Sequence, residues 1–192
     1  MRALLGIVVL ATAVLLLPTL RAEESGDAAA PAFPDSWVGH WRGPATLSAP
    51  GRPDLTFTME LRVTPLEDGE GYAWLVAFRD HAGADPGHGD QVHSHVLRPV
   101  DAAKGHWQVD HRNSIKLDSF FLGNALHTRF DMGQNSLDAR YVMQDGAIEF
   151  HSTNFRRSAL SVTGGKEGAP VVSSYELGAV QSARMIRVED EE

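Results

Sequence analysis

Residues 37–43 read Trp-Val-Gly-His-Trp-Arg-Gly, so that Trp37 and Trp41 stand on either side of Gly39. A long series of short alternating segments follows this stretch, whereas the residues directly before it show no periodicity. We therefore expect residues 37–43 to lead into the first strand, over about residues 39–48, of a small closed β-barrel. Both tryptophans should then be structural.

The clearest strand signal lies in residues 55–64, where apolar and polar side chains alternate without a break. A period of two places every second side chain on the same face, which is typical of a strand with one buried face. Residues 72–78 repeat the pattern after a turn at residues 67–69. The apolar members of the two segments are Leu55, Phe57, Met59, Leu61, Val63, Tyr72, Trp74, Val76 and Phe78.

The second half of the chain is predicted to form further strands joined by short turns. Gly123-Asn124 and Asp145-Gly146 are two-residue connections of the kind that β-hairpins favour. A longer loop over residues 156–170 is expected before a last strand over residues 171–188, bent at Gly178. The other predicted strands cover about residues 91–99, 105–111, 114–122, 125–132, 136–144 and 147–155.

Sequential tight hairpins predict an antiparallel meander of about ten strands. A meander of this length has two exposed edges, and closing on itself as an up-and-down barrel removes them. A Greek-key sandwich is the alternative, but it would need longer crossovers than residues 105–155 provide. The predicted fold class is therefore all-β, an antiparallel up-and-down barrel that follows an N-terminal signal peptide.

Residues 1–22 have the composition of a secretory signal peptide. Arg2 precedes an apolar run, and Leu20-Arg21-Ala22 offers a cleavage site. An uncleaved membrane anchor is the alternative, because the run is just long enough to span a bilayer; Pro18 near its end favours cleavage. The predicted organisation is a signal peptide over residues 1–22, a disordered leader over 23–34, the barrel domain over 35–188 and an acidic tail over 189–192.

The chain carries a formal net charge of −8 and contains no cysteine. The acidic balance disfavours nucleic acid or an anionic membrane surface as a partner, since phosphate binding needs clustered Lys and Arg. Without cysteine the domain has neither disulfides nor thiol chemistry, and core packing must hold it together. An exported domain of this kind fits a bacterial envelope. We therefore expect a periplasmic or extracellular bacterial protein that is free of the membrane after cleavage.

Gly39-His40-Trp41 resembles the Gly-x-Trp of the lipocalins at their first strand. Together with the meander, this resemblance points to the calycin superfamily, which includes the lipocalins and fatty-acid-binding proteins. The resemblance implies that Trp41 closes one end of the barrel and that a basic residue of the last strand, Arg184 or Arg187, packs over it. A guanidinium on an indole face is a favourable pair. Residues 104–155 also resemble uncharacterised exported bacterial proteins.

Large, mostly apolar side chains are predicted to face the barrel interior. A barrel of about eight to ten strands has either a filled interior or room for one small ligand, and the inward side chains decide which. These residues could fill the core, or as a set line a pocket for a small apolar molecule. The candidate pocket residues are Phe57, Met59, Leu61, Trp74, Val76, Phe78, Phe121, Phe130, Tyr141 and Phe150.

Histidine is concentrated in residues 80–95, which also contain three aspartates. On a strand, His93 and His95 would project to the same face and could chelate one ion, and His81 or His88 could complete a zinc, copper or nickel site. The alternative is a solvated loop at the mouth of the barrel. Glycine at positions 83, 87 and 89 favours that alternative, because a flexible loop holds ligands poorly.

A haem-binding reading rests on the dispersed histidines and on a second resemblance. The run over residues 37–43 resembles the opening tryptophan and glycine motif of the haem-binding barrels called nitrobindins. That resemblance implies an axial histidine, which the sequence does not single out. The candidates are His106, His111, His127 and His151.

The leading functional hypothesis is an exported barrel that binds a small apolar molecule. The alternatives are a metal- or haem-binding envelope barrel that uses the histidine-rich segment, and a barrel enzyme. Hydrolase motifs such as Gly-x-Ser-x-Gly and His-Glu-x-x-His are absent, as is a phosphate-binding glycine loop. The sequence selects no particular cofactor and no oligomeric state.

Overall fold

The computed structural model describes residues 32–82 and 90–189, without the side chains of His81 and Ala82. The predicted signal peptide, residues 23–31 of the predicted leader, His88 and residues 190–192 lie outside these ranges. Two short 3-10 helices, Asp35–Trp37 and Ala102–Lys104, are the only helices in the described residues. Neither is long and apolar enough to cross a membrane.

Ten strands make up the rest of the fold, and their order along the chain follows the predicted segments. They are β1 (Gly39–Ser48), β2 (Leu55–Pro65), β3 (Tyr72–Ala82), β4 (Gln91–Asp101), β5 (His106–Asp110), β6 (Lys116–Leu122), β7 (Ala125–Met132), β8 (Asn135–Gln144), β9 (Ala147–Thr163) and β10 (Val172–Val188).

The ten strands form one closed antiparallel barrel. Each strand pairs with the next along the chain, and β1 pairs with β10 to close the sheet. Trp41 on β1 lies opposite Leu61 on β2 and Arg187 on β10, so its inward side chain meets both neighbours. The predicted all-β, up-and-down barrel is therefore confirmed.

Positive backbone φ angles explain the tightness of two predicted hairpins. Gly123 and Asn124 have φ of 57° and 64°, and Asp145 and Gly146 have φ of 50° and 71°. Primed two-residue turns require positive φ at both central positions, and glycine and asparagine adopt it at little cost. These turns fix the register of β6 with β7 and of β8 with β9.

The last two strands are longer than predicted. The predicted loop over residues 156–170 is wrong over its first half, because β9 continues to Thr163 and pairs with β10 as far as Val172. β8 begins opposite Arg156, and β1 ends opposite Val180. Residues 158–163 and 172–179 therefore form a two-stranded arm that extends past the barrel wall. Its side chains are largely exposed, which is why burial patterning did not mark this part of β9 as a strand.

The barrel core is concentrated at the end where β1 begins. Trp37, Met59, Leu61, Leu97 and Met185 are fully buried there. We call this the closed end, and the opposite end, where β2 and β4 begin, the open end. The inward side chains of the open end are more exposed than those of the core.

Candidate functional site: the open end of the barrel

The closed end is sealed by Trp41 and Arg187. The guanidinium carbon of Arg187 lies 4.4 Å from the centre of the Trp41 ring. Its Nη1 donates a hydrogen bond to the carbonyl oxygen of Val38 at 2.6 Å, and its Nη2 donates to that of Ser36 at 3.3 Å. Arg184, the other basic candidate, instead donates from Nη1 to Oε1 of Glu149 at 2.6 Å.

Gly39 permits this seal because a side chain at its position would collide with the arginine. Its φ of 136° is a conformation that other residues rarely adopt, and an added Cβ would lie 2.5 Å from Nη1 of Arg187. The glycine before the tryptophan therefore has a steric reason in this structure. Trp41 in turn donates from Nε1 to the carbonyl oxygen of Trp37 at 2.8 Å.

Aromatic rings fill the interior next to this seal. Phe33 stacks on Phe121 with ring centres 4.1 Å apart, and its ring lies edge-on to Trp37 at 5.0 Å and to Trp107 at 5.2 Å. Offset and edge-on aromatic pairs stabilise a core beyond the area that they bury. Among the described residues, the closed end is therefore packed with aromatic side chains.

A second aromatic group lies at mid-barrel. Trp74 and Phe150 flank Tyr141, with ring centres 5.3 Å and 4.7 Å from it. Burial raises the pKa of Tyr141 well above its usual value, so this hydroxyl stays protonated at physiological pH. Mid-barrel is the boundary between the packed and the more open half.

The ten predicted pocket residues divide between the two halves of the barrel. Met59 and Leu61 are fully buried in the core, and Phe121 stacks in the closed end. Phe57 and Phe78 meet edge-on at 5.8 Å toward the open end. Strand alternation also places Val76 and Phe130 on inward positions of this half, whereas Trp74, Tyr141 and Phe150 lie at mid-barrel.

Three histidines face the interior of the open half. His93 and His95 lie opposite the buried Val76 and Trp74 of β3, so both side chains point inward, and His111 follows directly on β5. The ring of His95 lies 4.0 Å from that of His111 and 6.1 Å from that of His93, measured between centres. We call these three residues the histidine cluster.

The histidine cluster is only partly solvated. Burial lowers the pKa of His95 to about 4, with smaller contributions from the neighbouring His111 and His93. Burial also lowers the pKa of His111, and His93 adds to the effect while Asp110 opposes it. Both imidazoles are therefore neutral at pH 7, and Nδ1 of His95 is buried without a hydrogen-bond partner.

The predicted metal residues are only partly accounted for. His93 and His95 share one face, as the alternation suggested, but the side chain of His81 and all of His88 lie outside the described residues. The structure brings His111 to the pair instead. Within residues 32–82 and 90–189, no three His, Asp or Glu side chains are already grouped so that they could hold a metal ion.

Further polar side chains lie on inward positions of the barrel. The hydroxyl oxygens of Ser119 and Thr128 are 2.7 Å apart, and Ser119 is fully buried. Oδ1 of Asn154, near the open end of β9, is buried without a hydrogen-bond partner. Buried polar atoms normally have partners. Among the described residues, those without one also include Nε1 of Trp37 in the closed end.

A groove of about 630 Å³ lies outside the barrel at the base of the arm. One of its walls contains the ion pair between Arg157 and Asp131, whose Nε and Oδ2 atoms are 3.2 Å apart. The lining residues are Arg129, Asp131, Ser136, Phe155, Arg156, Arg157, Ser173, Ser174 and Tyr175. None of them was singled out from the sequence as a binding residue.

Comparison with solved structures finds the same fold at low sequence identity. A DUF3598-family protein of unknown function from Nostoc punctiforme matches with a TM-score of 0.54 and 13% identity, over 79% of this chain and 47% of that one. The S-type phycobiliprotein lyase CPES from Guillardia theta matches with a TM-score of 0.54 and 9% identity, over 80% of this chain and 89% of that one.

At such identities these matches show the fold alone, a closed antiparallel barrel. This chain spans about half the length of the Nostoc punctiforme protein. Neither a scan of protein families nor a sequence comparison with curated proteins gives a match.

Proposed function

We propose that this chain binds a small, largely apolar molecule in the open half of its barrel. One observation carries the proposal: the two halves of the interior differ in kind. Around Trp41 the inward side chains are nearly or fully buried, whereas the open half combines aromatic walls with more exposed inward positions and the unpartnered polar atoms of His95 and Asn154. Nε1 of Trp37 in the closed end is also unpartnered, so the contrast between the halves is one of exposure. Ligand sites are typically apolar with a few polar groups that orient the ligand.

The likeness to the phycobiliprotein lyase of Guillardia theta supports the proposal at the level of the fold. By its name that protein is a lyase that acts on phycobiliproteins, and this chain covers 89% of its length. For this chain, a rigid conjugated molecule is a suitable ligand class, because Phe57 and Phe78 offer flat faces. The polar edge of such a molecule would meet His95 or Asn154.

Anilinonaphthalene sulfonate, a fluorescent apolar probe, tests the proposal directly. We expect saturable binding of about one probe per chain, with competition by biliverdin or a long-chain fatty acid. Ala139→Trp should abolish binding, because Ala139 lies on the inward face of β8 beside the mid-barrel rings. Arg140→Trp adds the same ring to the neighbouring outward position and should leave binding unchanged.

Circular dichroism shows whether the Ala139→Trp variant folds. If it does not fold, Phe130→Ala is the variant that tests the site. It removes a ring from the open half and should weaken the probe without filling the interior. Equal probe affinity in all three variants would contradict an internal site.

We further propose that the protein acts after export, in the bacterial periplasm or outside the cell. The motive is the order of Arg2, the apolar run and Ala22, with cleavage before Glu23. N-terminal sequencing of material from the culture medium or periplasm should begin near Glu23. Recovery of an intact chain starting at Met1 from the membrane fraction would contradict export with cleavage.

A further inference from the structure

The histidine cluster contains side chains from β4 and from the end of β5. Residue spacing in the sequence does not predict that they meet. His93 and His95 are alternate residues of β4, and His111 follows β5, its antiparallel neighbour. The hairpin between these strands turns at Ala102–Lys104, and its register carries His111 back to His95. Three imidazoles from adjacent strands therefore meet on the inner wall of the open end.

The surroundings make these rings suitable as metal ligands. A histidine binds a metal ion through a ring nitrogen, and the ring centre of His95 lies 4.0 Å from that of His111 and 6.1 Å from that of His93. No hydrogen bond occupies the buried Nδ1 of His95. The nearest carboxylate in sequence, Asp110, is engaged by the backbone N–H of Arg112 at 2.7 Å and by Lys116.

We propose that His93, His95 and His111 bind one divalent transition-metal ion of the zinc or copper class at the open end of the barrel. Three imidazoles with an open fourth position are a recurrent ligand set for zinc. The fourth position would face the barrel interior and accept water or a heteroatom of a bound molecule. This metal site is separate from the proposed function, because the metal ion can bind without the small apolar molecule.

Metal binding requires a modest rearrangement of the rings. Zinc holds imidazole nitrogens at about 2.0–2.1 Å, so ligating rings converge on one point. In the structure the His95 and His111 rings are in contact, whereas His93 lies nearly parallel to His95 at 6.1 Å. The side chain of His93 is exposed, so it can turn toward the other two without disturbing the core.

Calorimetric titration of the full chain, without an affinity tag, with zinc chloride tests the site. We expect about one zinc per chain and a rise in Tm on binding. His111→Ala should reduce the zinc affinity by roughly tenfold or more. Removing only the hydrogen-bond partner of a metal ligand already costs about tenfold, and His111 is proposed as a ligand itself. His127→Ala, an exposed outward histidine on β7, should leave the zinc affinity unchanged.

A double variant distinguishes this site from the one expected from the sequence, in which His81 or His88 completes the ligand set. His81→Ala/His88→Ala should retain zinc binding if the histidine cluster is the site, and should lose it if the loop supplies the ligands. Cobalt(II) loaded in place of zinc should give the strong visible absorption of a four-coordinate ion, and His111→Ala should weaken that signal.

His111→Ala is the preferred variant because His111 lies beyond the end of β5, where truncation leaves the strand pairing intact. Unchanged circular dichroism and loss of zinc affinity would support the proposal. Wild-type affinity in His111→Ala, an equal loss in His127→Ala, or no zinc binding by the wild type would overturn it.

Discussion

Arg187 lies over the ring of Trp41 while its guanidinium donates to the backbone carbonyls of Val38 and Ser36. One side chain of the last strand thus holds both the first strand and the helical turn before it. The closure of the barrel between β1 and β10 is reinforced at this end by a cation–π contact and two hydrogen bonds.

Arg187→Met should lower the free energy of unfolding by about 1–3 kcal/mol, since it removes a cation–π contact and hydrogen bonds to two carbonyls. Arg184→Met is the matched control on the same strand. Its exposed pair with Glu149 is worth about 0–1 kcal/mol. Urea unfolding of both variants measures the difference, and equal effects would show that Arg187 has no special role.

Gly39→Ala should destabilise the fold by about 1–3 kcal/mol, because φ of 136° is strained for alanine and the new Cβ would displace Arg187. Combining it with Arg187→Met separates the two causes. If displacement of the arginine dominates, the double variant should be less unstable than the sum of the single variants. Strict additivity in urea melts would leave backbone strain as the sole cause.

Trp41→Ala should cost about 3–5 kcal/mol, the range for truncating a large buried aromatic side chain. Trp37 is just as buried, since both tryptophans are nearly or fully inaccessible, so Trp37→Ala should cost a similar amount. The pair is compared by guanidinium unfolding followed by circular dichroism. A near-neutral result for either variant would remove that residue from the account of the core.

Tyr72 should contribute stability that disappears in strong alkali. Burial, together with the hydrogen bond that Tyr72 donates to Oδ1 of Asp35 at 2.5 Å, raises its pKa to about 12. The unfolded state therefore loses this proton near pH 10, before the folded state does. The stabilisation is fully present below pH 10 and is lost as the pH rises through 12.

The measurement for Tyr72 is the difference in stability between the wild type and Tyr72→Phe across this pH range. The phenylalanine variant has no proton to lose, so the gap between the two proteins should shrink from pH 10 upward. Ultraviolet titration of the tyrosines provides the direct readout. A constant gap up to pH 12 would contradict the raised pKa.

The fold could be predicted because its signals are local. Unbroken alternation in residues 55–64 identified β2, and two-residue turns such as Asp145-Gly146 identified the hairpins. Once consecutive strands are joined mostly by short hairpins, closure is the simplest topology. The continuation of β9 past Arg156 could not be predicted in this way, because an exposed two-stranded arm buries neither face and leaves no alternation.

The site was harder to predict because it depends on contacts between strands. His93 and His95 were identified through their spacing on one strand, but His111 was treated as a dispersed histidine. One signal was available: Trp107, Val109 and His111 are alternate residues, and the first two are buried. The register of β4 with β5 brings His111 to His95. This register depends on the turn between the strands, so the sequence of either strand alone does not predict it.

The most direct test of the central claim is a map of ligand-induced chemical-shift changes in the isotope-labelled protein, with anilinonaphthalene sulfonate as the ligand. The account predicts that the largest changes fall on inward positions of the open half, including Phe57, His95 and Phe130, while Trp41 and its neighbours change little. Changes confined to the arm and the groove around Tyr175, with the interior unaffected, would contradict it.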